Sequence, residues 1–136
     1  MVVKGFSHVC LTVRNLDKTQ AFYCDLLGCR IVHEFRNAQG QRYGLFLTVN
    51  HGTFLEFFLE QTPTPPGGRF RHLCFEVEDI QQRAQQLRLA GFSVEVERGK
   101  TDRVLQCWIH DPDGNQVEFH QYDPQAVQYP YVAAAA

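Results

Sequence analysis

Apolar and polar residues alternate near the start of the chain, and nearly the same alternating phrase returns about halfway along it. GFSHVCLTV occupies residues 5–13 and RFRHLCFEV occupies residues 69–77. Alternation over this length is typical of a β-strand with one buried face. We therefore predict strands over 6–13 and 70–77, each opening one copy of an internal repeat.

Each of these strands is followed by a segment with the periodicity of an amphipathic helix. In LDKTQAFYCDLLG (16–28) the predicted buried side consists of Leu16, Ala21, Phe22 and Leu26. In EDIQQRAQQLRLAG (78–91) it consists of Ile80, Ala84 and Leu87. Asp17 is the expected cap of the first helix, and Gly28 and Gly91 are expected to end the two helices.

Three shorter apolar segments complete each copy. We predict strands at about 30–36, 42–49 and 53–60 in the first copy, and at about 92–98, 104–110 and 115–122 in the second. NHG and DPDG supply the last turn of each copy. The sequence thus predicts an α+β protein of two tandem βαβββ modules, each a curled mixed sheet with a helix on its outer face, together forming a cup-shaped site.

The predicted boundaries follow from this repeat. The first module covers residues 1–60, the linker QTPTPPGG covers 61–68, and the second module covers 69–122. Three prolines and two glycines make that linker a poor strand or helix. Residues 123–136 form a C-terminal tail, of which we set aside the four closing alanines, 133–136, as a cloning remnant.

Composition narrows the choice of function. The 136 residues carry a net charge of −2, with scattered Lys and Arg, which argues against nucleic-acid or membrane-surface partners. The chain contains no apolar run of the roughly 20 residues that span a membrane and no signal-peptide pattern, so we expect a cytoplasmic protein. The five cysteines form no CxxC pair, and we expect them to be reduced.

Histidine and glutamate recur at matched positions of the two copies. His8 aligns with His72, and GTFLEFF (52–58) aligns with GNQVEFH (114–120), which places Glu56 on Glu118. Strand alternation puts all four side chains on the face not committed to the helices. Related by a pseudo-twofold axis, they could converge in one site.

Two imidazoles and two carboxylates suit a divalent metal such as Ni, Co, Mn, Zn or Fe. A single histidine in such a strand is more simply explained as a core residue, but the matched repetition favours metal ligands. Four protein ligands favour an octahedral catalytic centre over a closed tetrahedral one. His120 shares the face of Glu118 and is expected to be a wall of the pocket, whereas Cys10 and Cys74 are expected to be small core residues.

The paired segments HVCLTV…GTFLEFF and HLCFEV…DPDGNQVEF resemble the vicinal oxygen chelate superfamily across residues 5–122. That superfamily includes glyoxalase I, methylmalonyl-CoA epimerase, extradiol dioxygenases, fosfomycin-resistance thiol transferases and bleomycin-binding proteins. The closest resemblance is to bacterial glyoxalase I, and it implies that His8, Glu56, His72 and Glu118 are the metal ligands. It also implies a metal-dependent lyase or isomerase acting on a small substrate chelated through vicinal oxygens. Glu118 is then the proton-transfer base, with Glu56 on the opposite side of the substrate.

Two positions depart from that resemblance. Bacterial glyoxalases carry an Arg four residues after the first His and an Asn four residues after the first Glu, where this chain has Thr12 and Glu60. A carboxylate at position 60 would repel anionic glutathione. Lys100 does match a basic residue of a loop before the penultimate strand. The resemblance therefore supports the chemistry more than it supports glutathione as the substrate carrier.

Other functions compatible with the same fold are an extradiol-type dioxygenase, a thiol transferase and a metal-free binding protein of the bleomycin-resistance type. The four-ligand set argues against the last, and Glu56 would crowd an O₂ or catechol position in the first. We expect a small-molecule substrate and a homodimer, in which His8 and Glu56 of one chain could meet His72 and Glu118 of the other. The residues predicted to line the substrate pocket are Phe54, Phe58, Lys100, Trp108, His120 and Tyr122.

Overall fold

The computed structural model describes residues 6–50, 52–62, 70 and 72–133. The chain divides into two compact units, Met1–Pro66 and Gly67–Ala136. Each unit contains a four-stranded mixed sheet with a helix packed on it, so the predicted α+β fold of two tandem modules is confirmed. Residues 63–68 of the predicted linker lie outside the described residues.

The first unit follows the predicted βαβββ order. Its elements are β1 (His8–Val13), α1 (Leu16–Gln20), a π-helical continuation of α1 (Ala21–Leu26), β2 (Arg30–Arg36), β3 (Arg42–Asn50) and β4 (Thr53–Leu59). The strand order in the sheet is β1-β4-β3-β2. β1 runs parallel to β4, and the other neighbours are antiparallel. The parallel pair places the first and last strands of the module side by side.

One face of this sheet forms the core with the helix. Leu45, Leu47 and Phe57 are fully buried, and the Tyr23 ring lies 4.8 Å from the Phe57 ring. Ala21 is exposed, so its predicted place on the buried side is wrong. The helix widens into the π form at Ala21, and this extra residue per turn brings Tyr23 onto the core side instead.

The first helix also begins differently from the prediction. Asn15, not Asp17, is the N-cap, because its side-chain oxygen accepts a hydrogen bond of 3.0 Å from the Lys18 backbone N–H. Asp17 instead pairs with Arg42 at 2.7 Å. Gly28 ends the helical segment as predicted, at a φ of 86° that favours glycine.

The second unit repeats this arrangement. Its elements are β5 (His72–Glu76), α2 (Ile80–Leu89), β6 (Glu97–Arg98), β7 (Leu105–His110), β8 (Gln116–Gln121) and α3 (Tyr129–Ala133). The strand order is β5-β8-β7-β6, with β5 parallel to β8. The predicted helix side of Ile80, Ala84 and Leu87 is fully buried. The Gln121 side chain accepts a 2.9 Å hydrogen bond from the Ile80 backbone N–H and so ties α2 to β8.

The strand predicted at 92–98 is much shorter than expected. Only Glu97–Arg98 pairs with β7. The preceding residues follow the helix closely, because the Arg88 guanidinium donates a 3.0 Å hydrogen bond to the Val94 carbonyl and the Val94 side chain is buried. This hydrogen bond keeps the residues before Glu97 from pairing with β7 as a regular strand.

The residues after β8 are held by the same unit. Arg98 donates hydrogen bonds of 3.0 and 2.7 Å to the two carboxylate oxygens of Asp123. The Val127 N–H donates to the Asp102 carbonyl at 2.9 Å. Within the part of the chain that the structure describes, no helix has the length and apolar character needed to cross a membrane.

Candidate metal centre

The first predicted ligand pair lies on the sheet face opposite the helix. Cys10 is aligned with Glu56 in the parallel register of β1 and β4, and His8 lies two residues earlier on the same face. His8 Nε2 is 4.0 Å from Glu56 Oε1. Because Leu55 and Phe57 take the core side, Glu56 is directed away from the helix. The predicted pairing of His8 with Glu56 within one module is therefore present.

The second pair has the same construction and a tighter geometry. Cys74 is aligned with Glu118 in the parallel register of β5 and β8. His72 Nε2 is 3.0 Å from Glu118 Oε2. The Glu118 side chain is 6% exposed, whereas that of Glu56 is 21% exposed. A carboxylate as buried as Glu118 requires hydrogen-bond partners or a cation.

His120 provides Glu118 with a further partner. His120 Nε2 is 2.6 Å from Glu118 Oε1, so imidazoles flank both carboxylate oxygens. Since an ionised carboxylate only accepts hydrogen bonds, a bond between the two requires His120 to donate from Nε2. Its other ring nitrogen, Nδ1, lies 3.4 Å from the Tyr122 hydroxyl. The residue predicted as a pocket wall thus fixes the orientation of Glu118.

Each pair is covered by an aromatic ring from the adjacent strand. Trp108 lies opposite Glu118 in the antiparallel register, with its ring 4.8 Å from the His72 ring. Phe46 lies opposite Glu56 in the same way, 5.7 Å from the His8 ring. Phe46 was not among the predicted pocket residues. Aligning β3 with β7 by their distance from the paired glutamates would have identified it.

The remaining predicted pocket residues have distinct surroundings. Phe54 stacks on Phe46 at 5.1 Å, beside His8 and Glu56. Phe58 packs on Phe35 at 4.9 Å, two residues beyond Glu56 on the same strand. Lys100 is an exposed residue of the loop between β6 and β7, and its role as a pocket residue stays a prediction.

The two cysteines of the repeated strands are not the core residues that the sequence indicated. Cys10 and Cys74 are both exposed, since strand alternation places them on the glutamate face. Partial burial of the Cys74 sulfur, together with the nearby Glu118 carboxylate, raises the pKa of this thiol to about 12. The pKa of the Cys10 thiol is raised in the same direction, by burial and by Glu56. Both thiols are therefore protonated at neutral pH.

The two donor atoms of each pair are close enough to bind the same divalent ion. An imidazole nitrogen and a carboxylate oxygen are separated by 4.0 Å in the first module and by 3.0 Å in the second. Two ligands at about 2.0–2.2 Å from one ion are separated by roughly 3 Å, so small side-chain rotations suffice. Nitrogen and oxygen donors of this kind suit Zn, Ni, Co, Mn or Fe.

Comparison with known proteins agrees with this architecture. The family model of the "Glyoxalase/Bleomycin resistance protein/Dioxygenase superfamily" matches residues 5–119. Virulence protein STM3117 of Salmonella typhimurium is 31% identical, over 90% of this chain and 87% of its own. Lactoylglutathione lyase of Haemophilus influenzae is 28% identical, over 82% and 88% respectively. A glyoxalase family protein from Enterococcus faecalis superposes with a TM-score of 0.74 at 28% identity, over 88% of this chain and 99% of that one.

Proposed function

The chain belongs to the Glyoxalase/Bleomycin resistance protein/Dioxygenase superfamily, and from this premise we propose that it is a metal-dependent lyase or isomerase of the glyoxalase type. The observation that carries the proposal is the duplicated His–Glu pair, at 4.0 Å in one module and 3.0 Å in the other. Both pairs lie on the sheet face opposite the helix, with an aromatic ring beside each histidine. Packing of a core does not require such a pair twice.

The proposed ligands of one divalent ion are His8, Glu56, His72 and Glu118. When bound, the ion acts as a Lewis acid toward two adjacent oxygens of the substrate. Trp108 and Phe46 each pack edge-on against the histidine of their own module and so limit its rotation.

Glu118 is the proposed base that moves a proton between two adjacent substrate carbons. Its carboxylate is nearly buried and is held between His72 and His120, so its orientation is fixed before the substrate binds. Glu56 is more exposed and lies farther from its histidine. Glu56 is therefore the more mobile carboxylate, suited to the opposite side of the substrate. General acid–base catalysis by a positioned side chain contributes about 10²–10⁴-fold to a rate.

The proposed substrate is a small α-hydroxycarbonyl compound or a thiol adduct of one, without a requirement for glutathione. Thr12 lies on β1, on the strand face of His8. Glu60 directly follows β4, and its N–H donates a 2.9 Å hydrogen bond to the Val13 carbonyl at the end of β1. Glu60 contributes a negative charge there, which disfavours an anionic tripeptide. The related lactoylglutathione lyase of H. influenzae acts, by its name, on a glutathione adduct.

Metal content and proton exchange test this proposal together. Protein purified without chelator should contain at least one divalent ion per His–Glu–His–Glu set by elemental analysis, and Glu56→Gln should lose the ion of that set. Solvent deuterium should enter the α-carbon of a substrate in NMR, and Glu118→Gln at saturating metal should slow this exchange by about 10²-fold or more. Glu95→Gln, at an exposed position outside the pairs, is the matched control and should behave as wild type. Wild-type protein that takes up no metal on titration would overturn the proposal.

We propose further that the protein is a homodimer in which each metal set combines His8 and Glu56 of one chain with His72 and Glu118 of its partner. Light scattering coupled to size exclusion gives the mass, and mixing His8→Ala with His72→Ala chains provides the matched test. Mixed dimers should regain one intact metal set and part of the activity. A monomeric mass with full metal content would contradict the cross-chain arrangement and leave the four-ligand proposal intact.

A further inference from the structure

The second module carries a cluster of potential ligands that goes beyond its His72–Glu118 pair. The Cys74 sulfur, a ring nitrogen of His120 and a carboxylate oxygen of Glu118 all lie within 4.8 Å of one another. Glu118 and His120 alternate on the same face of β8, and Cys74 is aligned with Glu118 on the neighbouring strand β5. The strand register itself therefore brings the three donors together.

The first module does not repeat this cluster. Cys10 and Glu56 match Cys74 and Glu118, but Phe58 stands where the second module has His120. Among the described residues, the second module's set is the one group of three such donors found close together. Phe58 has no atom that could bind a metal, and its ring packs on that of Phe35 instead.

The spacing of the three donors is compatible with one tetrahedral ion. Metal–sulfur bonds of about 2.3 Å and metal–nitrogen or metal–oxygen bonds of about 2.0 Å give ligand–ligand distances of roughly 3.3–3.5 Å. His120 Nε2 and Glu118 Oε1 start at 2.6 Å, with the imidazole proton between them. An ion would take the place of that proton, while Tyr122 beside Nδ1 serves as the outer partner that metal-bound histidines usually have.

We propose that the second module alone binds a thiophilic divalent cation, of the Zn²⁺ or Co²⁺ type, through Cys74, Glu118 and His120. Glu118 has one oxygen facing His120 and the other facing His72. The carboxylate therefore directs one oxygen to the proposed thiolate site and the other to His72. On binding, the Cys74 thiol loses its proton to solvent, as thiolate ligands do. The fourth position is open to water or to an exogenous ligand.

Cobalt substitution tests this site directly, because a thiolate bound to Co²⁺ gives a sulfur-to-metal charge-transfer band in the near ultraviolet. Chelator-treated full-length His8→Ala, Glu56→Gln protein, in which the four-ligand set is incomplete, should develop the band with a one-to-one end point when titrated with Co²⁺. Cys74→Ser should abolish it, whereas the repeat-matched control Cys10→Ser should retain it in full. His120→Phe, which installs the residue of the first module, should weaken Co²⁺ binding by at least about tenfold. Far-ultraviolet circular dichroism confirms that each variant is folded.

The same titration separates this site from the proposed enzymatic one. A His8→Ala, Glu56→Gln double variant should lose proton-exchange activity but keep the sulfur band. Activity with bound metal and no sulfur band would overturn the thiolate site and leave the proposed function standing. A band without any proton-exchange activity would support the thiolate site and contradict the proposed function. Equal loss of the band in Cys10→Ser and Cys74→Ser would also overturn the assignment to the second module.

Discussion

The contact between His120 and Glu118 gives the sharpest quantitative prediction, and His120→Phe is the perturbation that tests it. The 2.6 Å hydrogen bond joins two side chains that are 12% and 6% exposed, so solvent screens it little. Removing one partner of a buried hydrogen bond costs about 1–3 kcal/mol, and bonds to charged groups contribute about 1.5–3 kcal/mol. Phenylalanine fills much of the same space. We therefore expect the free energy of unfolding of metal-free protein to fall by about 1.5–3 kcal/mol.

Urea denaturation after chelator treatment measures this difference, and a double-mutant cycle isolates the pair. Glu118→Leu with His120→Phe replaces both partners by apolar groups, so the double variant should be more stable than the sum of the single effects predicts, by at least about 1 kcal/mol. His110→Phe, at an exposed position at the end of β7, is the control and should change stability by less than about 0.5 kcal/mol. A coupling energy indistinguishable from zero would refute the view that His120 holds Glu118.

Three further predictions concern acid, packing and thiol reactivity. Hydrogen bonds from Arg98 lower the pKa of Asp123, so this pair stabilises the native state fully at neutral pH and is lost as pH falls below about 4. The hydrogen-exchange protection factors of residues 124–132, corrected for the intrinsic rate at each pH, should therefore fall there in wild type. In Asp123→Asn they should be low already at neutral pH and fall no further. A Cβ at Gly44 would lie 2.6 Å from Phe58 Cδ1. Gly44→Ala should therefore lower the free energy of unfolding, measured by urea denaturation, by about 1–3 kcal/mol. Adding Phe58→Leu to this variant should recover part of the loss. The pKa of the Cys74 thiol is about 12. Iodoacetamide at pH 8 should therefore alkylate Cys74 at least about tenfold more slowly than an unperturbed cysteine, as followed by peptide mass spectrometry. An ordinary alkylation rate would contradict the surroundings described for the Cys74 sulfur.

The sequence predicted those features that depend on periodicity alone. Alternation along β4 and β8 placed Glu56 and Glu118 opposite the core residues Phe57 and Phe119, and the structure confirms both placements. A period of two residues is set by the strand backbone itself, so it survives in any tertiary context. The repeat then supplied the pairing of each glutamate with a histidine of the first strand in its module.

Features that depend on one local contact were not predictable in the same way. The π-helical segment after Gln20 shifts the buried side of the first helix by one residue. A helix this short has too few turns for the hydrophobic pattern to predict such a shift. The hydrogen bond from the Arg88 side chain to the Val94 carbonyl, six residues later, takes the place of part of the predicted strand pairing. The repeat aligns His120 with Phe58, which predicts a pocket-wall residue at this position. The contact of His120 with Glu118 is not predictable from the repeat, because the two modules differ there.

That difference argues for a division of labour between the two glutamates. Glu56 lies among aromatic rings, with Phe46 beside its histidine, and keeps a histidine nitrogen at 4.0 Å. Glu118 has imidazoles on both oxygens and is nearly buried. One carboxylate is thus held rigidly between two imidazoles and the other is held more loosely, which suits the two to different roles in moving a proton between adjacent carbons. A duplicated module that served only to bind a ligand symmetrically would have no use for His120 on one side and Phe58 on the other, so the asymmetry itself supports catalysis over passive binding.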